Sequence, residues 1–144
     1  MKILVLNGPN LNMLGLREPG IYGSQTYDDL VSFVQQSAQE LGLQADMRQS
    51  NHEGELVTWI QQARGTADAI VINPAAYTHT SVAILDALLA VNLPAVEVHL
   101  SDVHSREPFR RVSYCAMACQ HVIAGQGFAG YRTAMQWLKE NHPA

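Results

Sequence analysis

The sequence predicts an α/β fold: a five-stranded parallel sheet with helices on both faces. Three observations lead there. Five short apolar runs rich in β-branched residues are separated by helical or turn-rich stretches across the 144 residues. Most of these runs are nearly continuously hydrophobic, as strands covered on both faces are. The length is that of one domain, about 100–200 residues.

Each element has its own signature. Lys2–Asn7 is a buried strand, followed by a turn-rich stretch from Gly8 to Ser24. Thr26 stands as N-cap of the first helix, with Asp28 and Asp29 in its first turn, Leu30, Val31, Phe33, Val34, Ala38 and Leu41 at helical spacing, and Gly42 at its end. A second strand at Gln44–Gln49 precedes a helix starting near Gly54, with Leu56, Ile60 and Ala63 on one face and Gly65 as its stop. Strand three, Ala69–Asn73, leads through a loop to a helix over Ser81–Val91. Strand four, Ala95–His99, opens a polar stretch to Arg111, and strand five, His121–Ala124, feeds a last helix over about Gly127–Asn141. Five strands in this rhythm, joined by right-handed crossovers, suit the flavodoxin-like three-layer order 2-1-3-4-5 in one domain spanning 1–144. Ligands in such sheets bind outside the carboxyl ends of the strands, so function is expected in the loops after strands one, three and four.

Composition narrows the function. Nine Lys+Arg against thirteen Asp+Glu give a net charge of −4, so there is no basic field to collect nucleic acid. No apolar run approaches the ~20 residues that span a bilayer, and no signal peptide precedes the first strand, which points to the cytoplasm. Charged residues are 15% of the chain where about 25% is usual, an economy that implies burial of part of the surface against other copies. The Ser81–Val91 helix is apolar on nearly every face except for Asp86, which is expected to meet a partner across a subunit contact.

Two motifs invite over-reading. Gly125-Gln126-Gly127-Phe128-Ala129-Gly130 matches a dinucleotide fingerprint, yet the following strand and its acidic residue are missing, so a tight turn and close helix packing are expected. Cys115, Cys119 and His121 lack a fourth ligand at usable spacing, so no metal centre is expected, and two cysteines make no disulfide scaffold.

The chemistry concentrates in three loops. After strand one come Asn7-Gly8-Pro9-Asn10-Leu11-Asn12, then Arg17 and Tyr22. A guanidinium beside a phenol favours the phenolate. A free tyrosine is only ~0.1% ionised at pH 7, and lowering its pKa by about two units, roughly 3 kcal/mol, makes it a usable general base. Gly15, Gly20 and Gly23 give this loop the makings of a lid. After strand three, Asn73 and His79 stand where polar groups can fix a small ligand's hydroxyls or carboxylate. In strand four, the period of two puts Glu97 and His99 on one face, where a buried carboxylate needs a partner. The pair is either structural or an imidazole with its tautomer fixed for proton transfer. Arg106, Arg110 and Arg111 either bind a carboxylate or form a solvated turn.

Taken together, these segments resemble the type II 3-dehydroquinate dehydratases. The resemblance runs along essentially the whole chain, through N-G-P-N-L-N at 7–12, R-E-P at 17–19 with Y-G at 22–23, R-Q-S-N at 48–51, N-P-A-A-Y-T-H-T-S at 73–81, E-V-H-L-S at 97–101 and H-S-R-E-P-F-R at 104–110. It implies a cofactor-free and metal-free anti elimination of water from 3-dehydroquinate. By motif position, Tyr22 is the base, Arg17 lowers its pKa, and Asn10 helps stabilise the enolate. His99 is the general acid, oriented by Glu97. Asn73, His79, Leu100, Ser101 and Arg110 hold the substrate, Arg106 lies near the base, and Asp86 comes from a neighbouring subunit. Trimers assembling into a dodecamer are implied as well. The chain departs from the family pattern at Ala75 and Ala76, where Gly is frequent, at Ser105, where Ala is common, and at Asp102, where Asn is common.

A lysine imine, the other route to such a dehydration, has no candidate near the site: Lys2 and Lys139 are the only lysines, and both are expected at the opposite edge of the sheet. The competing reading is a non-catalytic flavodoxin-like module that binds FMN or receives a phosphate, although strand one ends in Asn7 and Asn10 where a receiver needs acidic residues.

Overall fold

The computed structural model describes residues 1–16 and 24–143, with His104 as backbone only. The strands β1 (Lys2–Asn7), β2 (Gln44–Gln49), β3 (Ala69–Asn73), β4 (Ala95–His99) and β5 (His121–Ala124) form one sheet in the order β2-β1-β3-β4-β5. All four pairings are parallel, with Ile3 opposite both Ala45 and Ala69 and Glu97 opposite both Ile72 and Val122. Helices α1 (Tyr27–Leu41), α2 (Glu53–Gln62), α3 (Val82–Val91) and α4 (Ala129–Asn141) cover the two faces.

Alternation along each strand divides the core in two. Ile3, Val5, Val71, Val96 and Val98 pack with Leu30 and Val34 of α1 and with Tyr131, Met135 and Leu138 of α4. Leu4, Leu6, Ile70 and Ile72 face the other way, against Leu56 and Ile60 of α2 and Ile84 and Leu88 of α3. Each fully buried Leu or Ile contributes about 1.5–3 kcal/mol, which is what fixes the register.

The predicted helix ends are met by capping geometry. Thr26 Oγ1 accepts from the Asp29 amide at 3.2 Å, and the Asp29 carboxylate accepts from the Thr26 amide at 2.9 Å, a reciprocal capping box on α1. Gly42 closes the helix at φ 73°. The glycine-rich turn is structural, as expected: Gly125 and Gly127 take φ 80° and 59°, and a Cβ on Gly130 would stand 3.4 Å from Val98 and Ile123. Helix α3 is buried against the domain on one face, through Ile84, Ala87 and Leu88, while Val82 at 50% and Leu89 at 57% exposure lie on the outer face, for which the sequence predicts cover from a neighbouring copy.

The sheet order reverses between β1 and β3, so a crevice opens where their carboxyl ends diverge. The two loops are pinned there, because the Gly8 amide donates to the Asn73 carbonyl at 2.8 Å and a Cβ on Gly8 would lie 2.3 Å from the Pro74 carbonyl oxygen. Gly8→Ala must therefore push backbone apart, at a cost of about 1–3 kcal/mol. Denaturant melts should show that loss, and a midpoint equal to wild type would contradict the close approach. Lys2 starts β1, and Lys139 Nζ donates to the Leu41 carbonyl at 2.7 Å, so both lysines sit at the far edge from the crevice. Among the described residues, no helix is long and apolar enough to cross a membrane.

Candidate active site

Strand β4 supplies the centre. Glu97 and His99 share a face, with their side chains 1% and 6% exposed, and His99 Nε2 meets Glu97 Oε2 at 2.7 Å. A carboxylate only accepts, so this contact places a proton on Nε2 and turns Nδ1 to the crevice. Neutral His99 thus offers a lone pair there, and protonated His99 an acidic N–H. Glu97 Oε1 also accepts from Ser113 Oγ at 2.8 Å and Thr78 Oγ1 at 3.1 Å. Burial by itself raises the Glu97 pKa, but the hydrogen bond and charge of His99, with the hydroxyl of Ser113 and the thiol of Cys115, bring it below the ordinary value.

A depressed carboxylate pKa contributes stability above the unfolded-chain value of 4.5, and that contribution is lost as pH falls through the folded value. Glu97→Gln should consequently show a shallower loss of stability on acidification below about pH 4.5 than wild type. Thermal melts between neutral and acid pH measure it. Parallel pH dependences would contradict an ionised Glu97.

The strand-three loop is held just as firmly. Asn73 donates through Nδ2 to the Tyr131 hydroxyl at 3.0 Å and accepts through Oδ1 from the Ala75 amide at 3.1 Å. Tyr131 in turn donates to Asn7 Oδ1 at 2.6 Å. One N–H of the Asn73 amide is left for a ligand. His79 Nδ1 lies 2.6 Å from the Val112 carbonyl, which only accepts, so neutral His79 carries its proton on Nδ1 and keeps an acceptor at Nε2. Ala75 takes φ 52°, a left-handed conformation costing an alanine roughly 1–2 kcal/mol relative to the right-handed region. Its side chain packs on the core under α1 and α4, a partial compensation for standing where glycine has no such penalty.

These loops enclose one pocket, lined by Asn10, Asn73, His79, His99, Leu100, Ser101, Arg106 and Arg110, with Pro9, Leu11, Ala75, Ala76 and Val103. Asn10 sits at φ 71°, its amide donating to Asn51 Oδ1 at 3.1 Å. Arg110 Nε is held by Glu107 Oε2 at 2.6 Å, which leaves the terminal guanidinium nitrogens for an anion. Leu100 is anchored through its carbonyl, which accepts from the Gly127 amide at 3.0 Å.

The structure brings together nine of the predicted residues, since Glu97 stands behind His99 and the other eight line the pocket. Asp86 is not with them; it lies on the exposed face of α3. Arg111 does not line the pocket. Arg17 and Tyr22, with Gly20 and Gly23 of the expected lid, lie outside the described residues. No three or more His, Cys, Asp or Glu side chains come together as metal donors among the described residues. Sequence reasoning missed Thr78, Ser113 and Tyr131. Thr78 lies inside the 73–81 motif and was legible as a hydroxyl near the crevice, whereas nothing local marks Ser113 or Tyr131 as partners of residues 16 and 58 positions away.

Comparison with known proteins gives the chain its family and matches its fold. Residues 1–139 match the family model described as dehydroquinase class II. The chain is 56% identical to 3-dehydroquinate dehydratase 2 of Pseudomonas putida over 138 residues, 96% of this chain and 93% of that one. It is 54% identical to the catabolic 3-dehydroquinase of Aspergillus clavatus over 139 residues, again 96% and 93%. The crystal structure of a type II dehydroquinase from Butyrivibrio crossotus superposes with a TM-score of 0.95 at 47% identity, covering 96% of this chain and 97% of that one.

Proposed function

The chain belongs to the class II dehydroquinase family, and we propose that it removes water from 3-dehydroquinate in an anti elimination through an enolate, giving 3-dehydroshikimate. The protein is a hydro-lyase of that class. What carries the mechanism is the buried Glu97–His99 couple, aimed with a fixed tautomer into a polar pocket at the strand ends.

In this reading the Tyr22 phenolate, with its pKa lowered by Arg17, takes the proton beside the ketone. The electron pair moves onto the carbonyl oxygen, where Asn10 and a bound water stabilise the enolate. The enolate then collapses, the carbon–oxygen bond to the leaving hydroxyl breaks, and His99 Nδ1–H delivers its proton so that water departs. The imidazolium formed on recharging is stabilised by Glu97, which stays ionised. Asn73, His79, Leu100, Ser101 and Arg110 hold the substrate's hydroxyls and carboxylate, and Arg106 lies near the base. Both lysines are at the far edge, which supports an enolate over an imine. Borohydride added during turnover should leave the chain's mass and activity unchanged. A substrate-derived adduct on a lysine would contradict the enolate route.

We further propose that the protein works as a dodecamer built from trimers, as one catalytic domain, in the cytoplasm, on the shikimate or quinate pathway. The exposed face of α3 supports assembly, because Val82, Ala83, Leu89 and Ala90 form an apolar surface around Asp86. That surface would carry Asp86 into a neighbour's site. Sedimentation equilibrium should return twelve chains, and a monomer with full activity would contradict the shared site.

A further inference from the structure

The catalytic reading leaves the two cysteines unused. They are the only cysteines in the chain, and their sulfurs lie 3.9 Å apart at the end of the Cys115–Ala118 turn. Cys115 is buried at 1% exposure beside Glu97, whereas Cys119 is half-buried, packed against the core with part of its surface accessible. The same turn is tied to the site by the Ala116 amide, which donates to Ser113 Oγ at 3.0 Å, and by Ser113 Oγ, which donates to Glu97 at 2.8 Å. Two sulfurs in contact, one accessible and one against the carboxylate that orients His99, form a dithiol coupled to the catalytic couple.

We propose that Cys115 and Cys119 are a modification site, at which an oxidant of the peroxide class forms an intramolecular disulfide that disturbs the support of Glu97 and lowers turnover. The thiol of Cys115 is kept protonated by its contact with Cys119 and by burial, so Cys119 reacts first. The Cys119 sulfur attacks a peroxide oxygen, the S–O bond forms, the O–O bond breaks, and water leaves with the thiol proton. The Cys115 sulfur then attacks the Cys119 sulfur, the S–S bond forms, the S–O bond breaks, and a second water leaves with the Cys115 proton. Two thiols are oxidised and one peroxide is reduced to two waters. Closing the sulfurs to about 2.05 Å withdraws the Cys115 thiol from Glu97 and drags the turn that holds Ser113.

Hydrogen peroxide on the intact protein is the test, read in two ways. After alkylation under denaturing conditions, the tryptic peptide from Val112 to Arg132, which contains both cysteines, should be unalkylated and two hydrogens lighter. Turnover of 3-dehydroquinate should fall several-fold and return with dithiothreitol, which does not reverse methionine oxidation. Cys119→Ser should keep wild-type turnover and lose the sensitivity. Peroxide that leaves both cysteines free to alkylate, a disulfide with undiminished turnover, or a Cys119→Ser variant inhibited as strongly as wild type would each overturn the proposal. Only the turnover readout rests on the dehydratase reading, so failure of that reading and failure of the dithiol are told apart by the peptide's mass.

Discussion

His99→Ala is expected to leave a folded protein whose turnover is about 10²–10⁴-fold lower, the range for losing a positioned general acid. That corresponds to roughly 3–5 kcal/mol of transition-state stabilisation. The effect should fall on kcat more than on KM, because in the proposed mechanism Nδ1 acts on the departing hydroxyl while the carboxylate and remaining hydroxyls have other partners. Glu97 keeps its contacts to Ser113 and Thr78, so circular dichroism and the thermal midpoint should report an intact fold. Steady-state kinetics at neutral pH decide it, and near-native kcat would remove His99 from the mechanism.

Tyr22→Phe should be as severe, for a different reason. It deletes one hydroxyl and with it the proposed base, so kcat should drop by a factor on the order of 10²–10⁴ while the melting temperature holds. The activity lost should not be recovered simply by raising pH, since phenylalanine has nothing to ionise. A Tyr22→Phe variant turning over at near the wild-type rate would mean that another group takes the proton.

How much of this was legible in the sequence follows from the range of the forces involved. The central strands β1, β3 and β4 could be read because their burial on two faces leaves an apolar run, and the first helix because Thr26, Asp29 and Gly42 are local caps. Glu97 and His99 stood out because a charged residue in an otherwise apolar strand demands a partner, and period two put one within reach. The mutual support of the loops was not legible. Gly8 looks like any turn glycine until Pro74 is seen against it, and Tyr131 bridges Asn7 and Asn73 from the last helix. The apolar composition of α3 pointed to cover from outside the domain, and within one chain its outer face, with Val82 and Leu89, is exposed.

The unusually low charge can now be located. Both lysines are far from the crevice, while Arg106 and Arg110 line it and Glu97 is hidden behind His99. A site built this way favours a small anionic substrate and hydrogen-bonded charge over an amine nucleophile.

The most direct measurement of that account is addition of 3-dehydroquinate to the purified protein while following near-ultraviolet absorbance. Dehydration conjugates the new double bond with the ketone, so a steady rise in enone absorbance is predicted, slowed by about 10²–10⁴-fold in the His99→Ala variant. No rise from pure, folded wild-type protein would contradict it.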